Sequence, residues 1–229
     1  METRQGILYG VGVGPGDPEL LTIKALRTLE RCPVIAAPQT KSGEMLALDI
    51  VRQAAPLEDK TILPLFFTMA RDKSRQHSAH EAAADAVAQH LQAGRDVAML
   101  NLGDVSIYAT FGYIMDILRR RGYAVVMIPG VPSFCAAAAR LGITLVRGET
   151  PLHIAPATGP IEPMLALPGA KVLMKAGRRL PEVRAALEQT EEFGALVENC
   201  GLPGETIYSD LRQAPESVGY FAPAIVKER

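Results

Sequence analysis

Residues 6–13 (GILYGVGV) carry no charged position and no alternation, the pattern of a strand covered on both faces. Asp17-Pro18-Glu19 then reads as a helix start: Asp17 as N-cap, Pro18 at the first helical position, Glu19 at the positive helix end. Leu20, Ile23, Ala25, Leu26 and Leu29 supply its apolar stripe. The same alternation continues. Strands are predicted at 33–37, 60–66, 96–101 and 123–128, and helices at 43–54, 74–93 (ended by Gly94) and 109–120 (ended near Gly122). Such a βαβα order predicts a parallel sheet with helices on both faces.

Past Pro129-Gly130 the grain changes. A helix is expected at 132–141, then short strands near 143–146, 152–155, 171–175, 194–198, 205–208 and 218–226, with helices near 161–167 and 180–190. Closely spaced strands between Pro and Gly turns predict a mixed sheet. The expected fold class is therefore α/β with two α/β domains, an N-terminal parallel sheet and a C-terminal mixed sheet, and the active-site cleft between them. The boundary is expected near residues 112–123, giving domains 1–115 and 116–229.

Composition narrows the function. The chain has 229 residues, 48% of them hydrophobic, enough for one large core or two small ones. There is no run of about 18 apolar residues to span a membrane, and Met1-Glu2-Thr3-Arg4-Gln5 lacks the apolar stretch of a signal peptide, so a cytoplasmic protein is expected. Cys32, Cys135 and Cys200 are far apart and odd in number, which argues against a disulfide framework or a structural zinc site. The net charge is −1 and Trp is absent, so nucleic acid is a poor partner and a small or medium-sized ligand a better one.

The first strand runs into Gly10-Val11-Gly12-Val13-Gly14-Pro15-Gly16, which suggests a dinucleotide fold. The spacing fails: a G-x-G-x-x-G from Gly10 meets Pro15, and one from Gly12 meets Asp17. Strand two ends Ala36-Ala37-Pro38, with no acid for a ribose. A P-loop is absent as well. The loop therefore bends sharply, either to approach a ligand or simply to turn the chain.

Four ordered segments carry a resemblance: GVGPGDPELLTIKAL (12–26), LGDVSIYATFGY (102–113), IPGVPSFCAAAARLGITL (128–145) and VLMKAGR (172–178). In these the chain resembles the class III, or tetrapyrrole, methyltransferases, over nearly its whole length. Within that family it is most similar to the branch acting at C20 of precorrin-2 or cobalt-factor II, through LGD-x-SIY-x-TFGY, Leu65-Phe66-Phe67-Thr68-Met69 and Arg71-Asp72. It departs at Val105, where the family reads proline, which frees φ and restores an N–H.

The resemblance implies an S-adenosyl-L-methionine-dependent C-methyltransferase of cobalamin biosynthesis, with S-adenosyl-L-homocysteine as product, a tetrapyrrole acceptor and a homodimeric assembly. It assigns Leu102, Gly103, Asp104, Ile107, Tyr108, Ser133, Phe134, Met174, Asn199, Cys200 and Gly201 to the cofactor. Asp104 reads equally as a helix cap, and Phe134 and Met174 as core residues. Pro15, Gly16 and Asp17 are expected to line the acceptor trough. Lys41, Arg71, Arg75, Arg140 and Arg147 are candidates for the acceptor's carboxylates, though each alone also reads as a solvated charge. Asp104 and Tyr108 are candidate proton acceptors or orienters. His77 and His80, three apart on a helix, read as a solvated face and not as a metal pair. The alternatives are another class III methyltransferase (a different ring position, diphthine synthase, or a ribosomal RNA ribose methyltransferase), a nicotinamide-dependent oxidoreductase, and a module that only binds a tetrapyrrole.

Overall fold

A computed structural model describes residues 4–68 and 72–228. The chain divides into two compact units, Met1–Val131 and Pro132–Arg229.

The first unit is built on β1 (Leu8–Gly12), β2 (Val34–Gln39), β3 (Thr61–Phe66), β4 (Val97–Asn101) and β5 (Val125–Ile128), all parallel, in the order β3-β2-β4-β1-β5. Every residue of β1 and β4 is buried, as a strand with helices on both faces requires. The helices are α1 (Ile23–Arg31), α2 (Leu46–Arg52), α3 (Lys73–Gln92) and α4 (Phe111–Arg120). Ala83, Ala84, Val87, Ala88 and Leu91 of α3 join Ile114, Ile117 and Leu118 of α4 over Leu8, Val34, Val97 and Met99 of the sheet. Phe111 lies on β1 where Gly10 leaves room: a Cβ there would stand 2.3 Å from the Phe111 Cζ.

The second unit contains α5 (Ser133–Leu141), β6 (Leu152–Pro156), α6 (Glu162–Leu165), β7 (Ala170–Met174), α7 (Leu180–Glu188), β8 (Phe193–Glu198), β9 (Thr206–Tyr208) and β10 (Ala224–Lys227). Its sheet runs β6-β7-β10-β8-β9. Only β6 and β7 are parallel, so the sheet is mixed as expected. Lys171, in the middle of this buried sheet, is paired with Glu192.

Four expectations change. The division at 115/116 would cut α4, and β5 pairs with β1 (Leu8↔Val125 to Val11↔Ile128), so the contacts divide at Val131/Pro132 instead. The single helix from Asp17 is two: a 3-10 turn at Pro18–Leu20, then α1 capped afresh by Thr22, whose Oγ1 accepts from Ala25 N at 3.1 Å. Residues 143–146 form no strand but leave α5 through Gly142 (φ 67). Of 218–226 only the end is strand, because Pro223 cannot donate to a ladder and Val218 N bonds to Gly177 O (3.2 Å) instead. Among the described residues no helix is long and apolar enough to cross a membrane.

Candidate active site

In a parallel sheet, ligands bind beyond the carboxyl ends of the strands. There, in the first unit, the segments after β1, β4 and β5 are fused into one knot of main chain. Gly14 N donates to Gly103 O (3.2 Å) and Gly103 N to Gly14 O (2.7 Å), a two-residue bridge between the first loop and the fourth. Val13 N adds a bond to Asn101 O at 2.9 Å. A Cβ on Gly130 would lie 2.3 Å from Gly103 O, and one on Gly12 would lie 2.6 Å from Gly130 N. Three glycines from three strand ends therefore meet with no space for a side chain. The glycines of the first loop serve loop-to-loop packing, which explains why their spacing matches no nucleotide cradle.

Asp104 ties this knot. Its Oδ2 accepts from Gly130 N (2.9 Å), and its Oδ1 accepts from Ser106 N (2.8 Å) and from the Ser106 hydroxyl. Val105 N–H also bonds the carboxylate, a bond that proline at this position could not make, while the Val105 side chain joins the core. Burial works to raise the Asp104 pKa, but these donors outweigh it and hold the carboxyl below its ordinary value. A carboxylate so engaged is a poor proton acceptor. Its place is to fix Gly103 (φ 73) and the turn that follows. Tyr108, the other candidate acceptor, is 47% exposed and left-handed (φ 49), a strained backbone for a non-glycine residue. Leu102 and Ile107 are half-buried.

The second unit brings together Ser133 and Met174, with the hydroxyl 4.0 Å from the thioether sulfur. Met174 ends β7 and passes its carbonyl to Ala157 N (2.7 Å). Lys175 follows in a left-handed conformation (φ 61), its Nζ 5.4 Å from the Tyr220 ring centre. Phe134 and Cys200 are buried, Phe134 in the manner of a core residue. Asn199 is left-handed (φ 52), and Gly201 is exposed with φ 74. Their loop is anchored by Glu205, which accepts from Gly201 N (2.8 Å) and pairs with Arg140 (Nε at 2.9 Å). Arg140 first, then the Gly201 N–H, hold the Glu205 carboxyl below its usual value.

The expected acceptor residues separate. Pro15 and Gly16 are buried, and Asp17 spends Oδ1 on Glu19 N (2.9 Å). Lys41 and Arg147 are exposed, and Arg75 lies beside Asp72 (3.6 Å) on the first turn of α3. Arg71 lies outside the described residues. Arg140 is engaged by Glu205, so its first task is to hold the 199–205 loop. His77 lies beside Glu81 (3.8 Å) and His80 stacks on Tyr113, and among the described residues no cluster of metal-ligating side chains occurs.

Sequence reasoning missed Gly12, Gly130, Ser106 and Glu205. Gly12 and Gly130 were findable, as Gly103 was found, each standing at or just beyond the end of a predicted strand. Glu205 carried no local signal.

The family model of Tetrapyrrole (Corrin/Porphyrin) Methylases matches residues 7–215, and the chain belongs to this family. The chain is 33% identical over 234 residues to cobalamin biosynthesis protein CobIJ of Mycobacterium tuberculosis, covering 97% of this chain and 46% of that protein. It thus spans about half the length of the mycobacterial relative. Precorrin-2 C(20)-methyltransferase of Sinorhizobium sp is 33% identical over 236 residues, 96% of this chain and 95% of that one. The crystal structure of uroporphyrin-III C-methyltransferase from Thermus thermophilus, complexed with S-adenosyl homocysteine, matches with a TM-score of 0.73 at 24% identity, over 97% of this chain and 98% of that one. At that identity the likeness is one of fold.

Proposed function

We propose that the chain transfers a methyl group from S-adenosyl-L-methionine to C20 of a precorrin-2-type tetrapyrrole in cobalamin biosynthesis. The observation that carries this is end-to-end likeness to a protein of that name, 96% of one chain against 95% of the other. Methyl transfer from a sulfonium is an in-line displacement in which positive charge on sulfur disappears. Alignment and exclusion of water therefore matter more than a strong acid or base. A site made of fixed main chain suits that task.

In this reading Gly103 and its neighbours Leu102, Ile107 and Tyr108 take the cofactor in the first unit, and Ser133, Met174, Asn199 and Gly201 take it in the second. Asp104 acts through the loop it holds. Exposed cations such as Lys41, Arg75 and Arg147 meet the acceptor's carboxylates. The resemblance also supports a cytoplasmic homodimer, which sedimentation of the purified protein would check.

The test is direct. The protein is incubated with 13C-methyl-labelled S-adenosylmethionine and either precorrin-2 or cobalt-factor II, and the product is examined by NMR. A labelled methyl at C20 is expected. A label at another ring carbon moves the protein to a different branch of the family, and binding of NAD without binding of S-adenosylhomocysteine rejects methyl transfer altogether.

A further inference from the structure

Three rings meet at the margin of the helical core of the first unit, Phe67 packed against that core. Tyr113, in the first turn of α4, is 60% exposed. Its ring is stacked on the His80 imidazole of α3, with centres 4.5 Å apart and planes within 10°. Phe67, just past β3, stands 6.0 Å from the same imidazole at 52°.

The helix that carries His80 explains their position. α3 has 20 residues, about 30 Å of helix, yet all its buried residues lie between Ala83 and Leu91. Its first half overhangs the carboxyl edge of the sheet, where β3 ends and α4 begins. That is the edge that also bears the Gly12–Gly103–Gly130 knot.

An aromatic side chain gains most from burial, and an exposed ring held flat on half-buried ones, as Tyr113 is on His80 with Phe67 behind, marks a surface that something else covers. The overhang bears Lys73 and Arg75, both exposed, Arg75 beside the helix cap Asp72 at 3.6 Å. Burial first, and the neighbouring His77 second, lower the His80 pKa, so the imidazole that backs the Tyr113 ring is neutral. Flat, neutral and conjugated, with cations at its margin, the surface matches a conjugated macrocycle fringed by carboxylates.

We propose that the Tyr113–His80 stack, backed by Phe67, is an aromatic platform that receives one face of the tetrapyrrole acceptor and helps to select it. The proposal rests on the methyltransferase function above. The platform holds the acceptor and takes no part in bond making.

Four variants test it: His80→Ala, Tyr113→Ala, Tyr113→Leu and Tyr113→Phe. Acceptor affinity is read by absorbance titration with precorrin-2, cofactor affinity by calorimetry with S-adenosylhomocysteine, and folding by thermal melting. Loss of one stacking contact should weaken acceptor binding about tenfold. That loss is expected for His80→Ala, Tyr113→Ala and Tyr113→Leu, with KM raised, kcat held and S-adenosylhomocysteine affinity unchanged. Tyr113→Phe should behave as wild type. Tyr113→Leu keeps an apolar contact to α3 without a π face, so it decides the matter even if Tyr113→Ala unfolds. Wild-type acceptor affinity in Tyr113→Leu would overturn the platform and leave a mere clasp between two helices. A wild-type protein that binds S-adenosylhomocysteine but no tetrapyrrole would overturn the function beneath it instead.

Discussion

The loops beyond β1, β4 and β5 and those beyond β7 and β8 hold main chain in fixed shapes by different means. In the first set, Gly12, Gly103 and Gly130 let three backbones touch, and a single carboxylate, Asp104, gathers the N–H groups. In the second set, Lys175 (φ 61) and Asn199 (φ 52) sit in a conformation costing about 1–2 kcal/mol each, as Tyr108 (φ 49) does farther along the loop beyond β4. Side-chain ties steady them, notably Glu205 between Gly201 and Arg140. The knot has no room for an added atom, and neither does Gly177 beyond β7, where a Cβ would lie 2.3 Å from Gly219 O; the loop beyond β8 has room, since a Cβ on Gly204 would meet only the Asn199 side-chain nitrogen at 3.9 Å. The knot should therefore be brittle to substitution and the loop beyond β8 forgiving.

The largest effect is expected at Gly130→Ala. The new Cβ meets backbone on two sides, Gly103 O and the Gly12 carbonyl carbon, and neither can swing away. Destabilisation on the order of 3 kcal/mol is expected, with loss of S-adenosylhomocysteine binding. Urea unfolding and calorimetry check both. A stable variant that still binds would show that the knot can breathe, and the contrast would lose its basis.

Asp104→Asn comes next. The amide offers one acceptor where two were used, and turns an N–H group toward other donors, at a cost of about 2 kcal/mol. The pH dependence gives an independent reading. A carboxyl whose folded pKa lies below its unfolded value stabilises the fold above that unfolded value, about 4, and the stability is lost as pH falls through the folded pKa. Wild type should therefore lose more stability than Asp104→Asn between pH 5 and pH 3. Parallel curves would remove Asp104 from the centre of the knot.

Glu205→Gln should do least, about 1 kcal/mol, because its partner Arg140 is more than half exposed and such pairs are screened by water. The expected signature is local: faster amide exchange at Gly201 with global unfolding little changed. Global collapse would mean that the second set of loops is as brittle as the first.

Legibility followed the range of the forces. The unbroken apolar runs of β1 and β4 announced buried strands, and the expected alternation of strands and helices stands in the first unit. The failed G-x-G-x-x-G spacing at Gly10 and Gly12 goes with glycines spent on packing, Gly10 against Phe111 and Gly12 against Gly130. The start of α1 was misplaced because Asp17 and Thr22 are both competent caps and only packing selects between them. Arg140 read as a free cation because Glu205 is remote in sequence. His80 read as a solvated helix residue because its ring partner, Tyr113, belongs to another helix.

What the sequence determined alone was the class of fold, the alternation of strands and helices in the first unit and the family, since hydrophobic period, caps and ordered motifs are local in the chain. Tertiary structure alone decided which glycines touch, that Asp104 gathers the N–H groups of Ser106 and Gly130, and that Tyr113 stacks on His80 of another helix. Those facts depend on which strand ends become neighbours, and the order β3-β2-β4-β1-β5 is fixed by packing across the whole unit, not by any stretch of residues within it.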